Sequence, residues 1–463
     1  MEDFENGKIS KILFKFAIPC ITSLLIGALY NMVDQIFIGN SELGFLGNAA
    51  TGVSFPIICV VNAFAWSIGD GGAASLSIYN GRNEMEKMNN VVGTSISSAL
   101  IISIILSIIS LVFSVPLLTL FGASENTIGM ANDYFRIIAL FFPFYLLSNI
   151  FNGFIRSDGS PGLAMLLISL GAIINIILDP IFIFVFKLGI KGAAYATIIG
   201  QFVSFVAQML YLFKPKTFKL SFKSFKIDLK ILKQTIMLGG ATFITQISIA
   251  VMSVVSNMTL FKFGELSKYG SDIPIAVFSI QTKVYTIVNN IIVGIALGAQ
   301  PLLGYSYGAN RMDRVKDTFK LALTLSVIVG LVATIIFEAC PGVIINLFGS
   351  GDALYNEFAI KTFRIYLSLS IVTGIIKVST IFFQSIGKSK EAFIASLMKE
   401  LLCFVPLTLI LSFILEANMP GSGIYGILYA APISDVIAGS VIIILIAKFF
   451  HSFKLDTPKE IEL

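Results

Sequence analysis

Gly189-Ile190-Lys191-Gly192-Ala193-Ala194-Tyr195-Ala196 is answered late in the chain by Gly423-Ile424-Tyr425-Gly426-Ile427-Leu428-Tyr429-Ala430. Working outward, Phe135-Arg136-Ile137 returns as Phe363-Arg364-Ile365, Leu120-Phe121-Gly122 returns as Leu347-Phe348-Gly349, and Tyr79 aligns with Tyr307. Markers in one order, each displaced by about half the chain, indicate a duplicated unit. In a chain this apolar, such a duplication points to a membrane transporter built from repeats.

Composition identifies the solvent. Hydrophobic residues make up 56% of the 463, charged residues 13%, and Phe alone contributes 41. Soluble domains carry roughly 25% charge, so this is an integral membrane protein with the lipid bilayer as its partner. The net charge of +5 is spread over lysines between apolar stretches. No free basic face with interleaved aromatics exists, and no nucleic acid partner is expected. Cys20, Cys59, Cys340 and Cys403 stand singly in apolar surroundings. They lack the paired spacing of a disulfide framework or a zinc site. The amino terminus is acidic at its start and has no small-residue cleavage site, so the first apolar span is expected to stay in the protein.

Stretches of 18 or more apolar residues can cross the hydrocarbon core as helices. Twelve are expected, near 12–38, 50–79, 89–114, 131–155, 162–186, 192–213, 233–261, 274–303, 318–338, 363–386, 391–415 and 424–447. Lys8, Lys11, Lys15, Arg82, Lys87, Arg156, Arg311, Arg314, Lys316, Lys388, Lys390, Lys448, Lys454 and Lys459 fall at ends on one side, with the lysine-rich stretch between spans six and seven. Positive loops stay cytoplasmic, which places both termini on the cytoplasmic side of the membrane. The expected fold is all-α, with twelve transmembrane helices in two six-helix bundles related by a pseudo-two-fold axis along the membrane normal. The expected division is a first lobe over 1–213, a lysine-rich linker over 214–232 and a second lobe over 233–463, in a monomer. The linker reads as a solvated topology signal.

Ionisable groups inside the membrane cost roughly 2.5 to 3.5 kcal/mol on insertion scales and demand an explanation. Asp34 lies deep in span one within Tyr30-Asn31-Met32-Val33-Asp34-Gln35, and Asp179 in span five within Asn175-Ile176-Ile177-Leu178-Asp179-Pro180. Asn175 and Asp179 share a helix face, as do Asn31 and Asp34. If spans one and five pack together, these groups form a polar nest suited to taking up and releasing a proton. Pro180 aligns near Pro406, which puts Val405 opposite Asp179, so the acid pair belongs to the first lobe alone. Pro19 removes a backbone hydrogen bond from span one and bends it.

Asp70, Lys283, Lys377, Lys399, Glu400 and Asp435 are further buried charges, and Lys283 or Lys377 is the expected neutralising partner of Glu400. Tyr30, Asn31, Gln246, Glu400 and Asp435 are substrate-site candidates. The one histidine, His451, lies near the tail, so no histidine triad or intramembrane metal cluster can be assembled and an enzyme is not expected. Gly387-Lys388-Ser389 mimics the end of a phosphate-binding loop, but Phe382 stands where that motif needs its first glycine.

The Pro19 to Asp34 spacing, Asn175 with Asp179-Pro180, the duplicated Gly-Ile-x-Gly-x-x-Tyr-Ala and the twelve-span layout resemble the multidrug and toxic compound extrusion family, MATE, over nearly the whole chain. The likeness is greatest to the branch of bacterial multidrug exporters related to MepA and the DinF-like proteins. The resemblance implies cation-coupled export of lipophilic, often cationic, drugs by alternating access. It also implies cation-coupling roles for Asp34, Asp179 and Asn175, with Asn149 and Asn152 in the same cluster, and a bending role for Pro19. Sodium-coupled members of another branch carry acids in helices seven and ten. Here Gln246 stands near the first such position and span ten has no acid, a departure that favours coupling through the first lobe. No cofactor is implied beyond the coupling ion, for which H⁺ and Na⁺, the latter at Asp34 and Asp179, both stay open. A lipid-linked oligosaccharide flippase and a sodium-only exporter are the alternatives.

Overall fold

The computed structural model describes residues 7–41, 44–121, 123, 125, 127–270, 272–347 and 353–455, and these contain no β-strand. Gly122, Phe348 and Gly349 of the repeated marker, and Lys459 at the tail, lie outside the described residues.

The first half runs through α1 (Ile9–Gly39), α2 (Gly44–Gly81), α3 (Met85–Val112), α4 (Ser114–Leu120), α5 (Ile128–Leu140), α6 (Phe142–Ser157), α7 (Pro161–Pro180) and α8 (Ile190–Tyr211). The second runs through α9 (Leu229–Glu265), α10 (Asp272–Gly308), α11 (Met312–Ala339), α12 (Pro341–Leu347), α13 (Ala353–Tyr366), α14 (Ser370–Ser385), α15 (Ser389–Leu397), α16 (Val405–Asn418) and α17 (Tyr425–Leu455). A π-helical segment, Ile181–Val185, extends α7, and another, Met398–Phe404, joins α15 to α16. Among the described residues, ten helical runs are each long and apolar enough to cross a bilayer, and two bent pairs make twelve when each is counted as one span. The protein is an all-α, multi-pass membrane protein.

The bent pairs differ from the uninterrupted spans expected over 131–155 and 363–386. Helices α5 and α6 meet at 54°, and α13 and α14 at 47°. Pro143, in the first turn of α6, has no N–H to continue the ladder. At the second bend, the Ser368 hydroxyl donates to the Ile365 carbonyl at 2.9 Å and the Ser370 hydroxyl to the Leu367 carbonyl at 2.8 Å. Such side-chain bonds offer the backbone an alternative to the helix ladder. Both bends fall in the fourth span of their half, so the repeat extends to the shape of the spans.

Contact density partitions the chain differently from chain order. One compact unit holds Met1–Gln246, Leu297–Thr318 and Gln384–Gly387; the other holds Ile247–Ala296, Phe319–Phe383 and Lys388–Leu463. Each unit has a core in which the repeated sequences meet. In the first, Phe135 packs in one apolar cluster with Ile190, Ala193 and Ala194. In the second, Phe363 packs with Ile424, Ile427 and Leu428. The two motifs recur together because each supplies one side of the same core.

The glycines of the longer motif sit where no side chain fits. A Cβ on Gly192 would lie 2.9 Å from the Phe182 carbonyl carbon, and one on Gly426 would lie 2.3 Å from the Ser412 nitrogen. Overpacking costs about 1–3 kcal/mol. Gly426→Ala should therefore lower the thermal unfolding midpoint in detergent, and by more than Gly192→Ala; unchanged midpoints would contradict the close approach.

Candidate functional site

Helix α7 packs lengthwise against both α1 and α8. This brings Asp34, near the end of α1, beside Asp179, on the last turn of α7, so that the two carboxyl groups interact directly. Asp34 is 6% exposed and Asp179 0%. Asn175 lies one turn before Asp179 on the same face. With its carboxamide oriented to satisfy both ends, it donates to Asp179 Oδ2 at 3.2 Å and accepts from the Thr197 N–H of α8 at 3.1 Å. On the α1 side, Gln35 adjoins Asp34 and donates to Thr51 Oγ1 at 3.2 Å. Tyr30 and Tyr134 lie within electrostatic reach of both carboxyls.

Two features set the chemistry. Two carboxyl groups brought together out of water can bond to each other only when one of them carries a proton, because a carboxylate can only accept. No lysine or arginine among the described residues pairs with either acid. In addition, Asp34 Oδ1 is buried with no hydrogen-bond partner among the described residues. A buried carboxyl pair in this state is balanced by protons or by a small cation rather than by a fixed side-chain charge.

Other candidates are placed elsewhere. The Asn31 amide donates to the Gly27 carbonyl of its own helix at 2.8 Å and its side chain is exposed, so it does not join Asp34. Asn149 accepts from Trp66 Nε1 at 3.1 Å and donates to the Tyr145 carbonyl at 2.8 Å. Asn152 donates to the Ala164 carbonyl at 3.0 Å. Neither asparagine hydrogen-bonds to the acid pair. Tyr145 donates to Asn62, which extends a polar ladder between α2 and α6. Gln246 is buried in α9. Pro19 lies inside α1, which continues through it without a break.

Glu400 and Asp435 each already hold an ammonium group. Lys377 Nζ lies 3.1 Å from Glu400, the pairing expected for one of the two candidate lysines, while Lys283 is exposed. Lys399 Nζ lies 2.7 Å from Asp435 and donates to Thr373 Oγ1 at 3.0 Å. Lys399 and Glu400 are adjacent in sequence and both inward because they fall in the π segment, whose wider turn reorients successive side chains. Two cations and two anions here cancel, and the Lys377–Glu400 pair is the neutralising partnership expected from the sequence.

Arg156 is likewise not a loop cation. It is 6% exposed within α6 and donates to Asp70 at 3.4 Å and to Gln300 at 2.9 Å, while Thr242 donates to Asp70 at 3.3 Å. Thr197, Tyr134 and Gln35 were not among the candidates read from sequence. Gln35 adjoins Asp34 and was legible in principle; Thr197 and Tyr134 come from helices whose packing no local pattern announces.

The MatE family model matches residues 19–181 and 241–412. The multidrug export protein MepA of Staphylococcus haemolyticus is 26% identical over 467 residues, with 99% of this chain and 98% of the relative covered. A solved MOP superfamily transporter from Pyrococcus furiosus superposes with a TM-score of 0.88 at 22% identity, covering 98% of each chain. A MATE structure in a straight conformation gives the same score and identity over 98% of this chain and 99% of its own. At that identity the structural likeness is one of fold. The family model, by contrast, takes in the acid pair, its supporting asparagine and most of both halves, and the chain belongs to the MatE family.

Proposed function

We propose that this chain is a secondary antiporter of the bacterial cytoplasmic membrane that exports lipophilic organic cations in exchange for protons, by alternating access. The observation that carries the reading is the buried, adjacent Asp34 and Asp179 carboxyls with no lysine or arginine paired to them among the described residues. Protons entering from outside neutralise the pair; their release toward the cytoplasm leaves a negative nest that favours a bound cation. Asn175 and Thr197 hold Asp179 in place, so the change in charge acts on the packing of α1 against α7. The export of drugs by the relatives named MepA supports the substrate class. The sequence halves 1–213 and 233–463 are the bodies that exchange access, with 214–232 between them and both termini cytoplasmic. The transporter works as a monomer and needs no cofactor.

Stoichiometry follows from charge. One proton exchanged for one monovalent cation moves no net charge, so only the pH gradient drives it. Two carboxyls permit two protons, and the membrane potential then contributes about 2.3 kcal/mol per net charge at 100 mV. The unpartnered Asp34 Oδ1 makes Na⁺ the rival ion at the same nest. A lipid-linked pyrophosphate, as a flippase would carry, is disfavoured by an acidic cluster. The Lys377–Glu400 and Lys399–Asp435 pairs are read as structural.

In proteoliposomes, an imposed pH gradient should drive movement of an organic cation such as tetraphenylphosphonium, and a sodium gradient at constant pH should not. Asp34→Asn should fold, since the amide can still bond Asp179, but reduce pH-driven transport to the level of empty vesicles; undiminished transport by this variant would refute the coupling role. Clamping the potential should change the rate if two protons move per cation and leave it unchanged if one does. For the ion pairs, removing one partner of a buried pair costs about 3–5 kcal/mol, while replacing both with apolar residues is near neutral. Lys399→Met should thus lower the unfolding midpoint sharply and the Lys399→Met/Asp435→Leu double variant should recover most of it; a double variant no better than the single would show that the pair does more than neutralise.

A further inference from the structure

The lysine-rich stretch between α8 and α9 is built onto the first unit rather than hanging free. Asp158, 1% exposed, accepts the Lys216 and Thr217 backbone N–H groups at 2.7 Å each, together with the hydroxyls of Thr217 and Tyr211. The Lys219 N–H donates to Asn89 Oδ1 at 2.7 Å, and the Phe218 ring is buried in the core. A short 3₁₀ turn, Phe222–Phe225, then lies against α3. There the Ser97 hydroxyl donates to the Phe225 carbonyl at 2.8 Å, and a Cβ on Gly93 would come within 1.9 Å of the Ser224 carbonyl oxygen.

That docking fixes its depth. One helical turn beyond Ser97, about 5.4 Å, α3 begins an exposed apolar stripe of Leu100, Ile101, Ile104, Ile105 and Ile108 that can only face hydrocarbon. The strap therefore crosses α3 at the membrane interface. On its outer side Phe222 is 99% exposed, Phe213 74% and Leu229 75%, interleaved with the exposed Lys214, Lys216, Lys219, Lys223 and Lys226. Within residues 213–230 the one acid, Asp228, is engaged by the Lys230 and Ile231 N–H groups at the start of α9. Aromatic rings between unpaired-sign lysines at this depth match a surface of anionic headgroups over acyl chains, and each lysine near such a surface is worth about fivefold in affinity.

We propose that residues 213–230 form a binding strap for anionic phospholipids of the adjoining leaflet, with Phe222 and Phe225 set among the acyl-chain ends and Lys219, Lys223 and Lys226 on the headgroup phosphates. The occupant is a phospholipid and not a soluble partner, because the rings lie level with the edge of the hydrocarbon-facing stripe on α3.

The test places the full-length protein in lipid nanodiscs and follows the fluorescence of Phe222→Trp, with the parent protein subtracted to remove Trp66. Brominated phosphatidylglycerol should quench the added indole with at least about fivefold higher apparent affinity than brominated phosphatidylcholine. In the Lys219→Gln/Lys223→Gln/Lys226→Gln background the two lipids should quench alike. Phospholipid co-purifying with the otherwise native chain gives an independent reading, in which the triple glutamine variant should lose phosphatidylglycerol selectively. Equal quenching by both lipids in the parent background, no quenching at all, or unchanged co-purified lipid would overturn the proposal.

Discussion

Two carboxyl groups held together out of water, with no fixed cation paired to them, are the constraint on which the first half of this protein depends. A lone buried carboxylate would need a fixed counter-charge, and a pair of carboxylates would repel. In the proposed function Asp34 and Asp179 avoid both states by sharing a proton, with the Asn175 amide donating to Asp179. Because Asp34 is on α1 and Asp179 on α7, the two acids stand where those helices pack against each other. Thr197 ties the same point to α8, so three spans converge on one titratable contact.

The second half repeats the architecture without the chemistry. Its fourth span bends as the first half's does, and its fifth carries a π segment in the corresponding span. Where Asp179 would recur stands Val405, and the charges come instead from Lys399 and Glu400 in the π segment. These are matched by Asp435 and Lys377 into a neutral set. One copy of the duplicated unit thus keeps an acid pair free of cations, and the other fills its polar interior with ion pairs.

Much of this was legible in the sequence, for physical reasons. Apolar length against a hydrocarbon core of fixed thickness determines the spans, and the duplicated motifs are visible because Phe135 with Ile190, and Phe363 with Ile424, must fill equivalent cores. Asp34, Asp179 and Asn175 stood out because charge in an apolar span is costly and because four residues make one helical turn. Contacts between spans distant in sequence were not legible. Asn149 and Asn152 look like neighbours of the acids yet bond Trp66 and the Ala164 carbonyl, and Arg156 reads as a loop cation yet is buried against Asp70. Nor does an apolar stretch reveal its own bends, since Ser368 and Ser370 break a ladder that hydropathy alone would continue. The lysine-rich stretch was read as solvated because its composition says nothing of Asp158, which holds it from another loop.

The central claim is that the acid pair gives up a proton to accommodate a cation. The most direct measurement is the pH change of a weakly buffered solution of purified protein on adding tetraphenylphosphonium. The account predicts stoichiometric proton release from the native chain and none from an Asp34→Asn/Asp179→Asn variant that still binds the dye-like cation. Binding without proton release in the native chain, or equal release from both proteins, would contradict it.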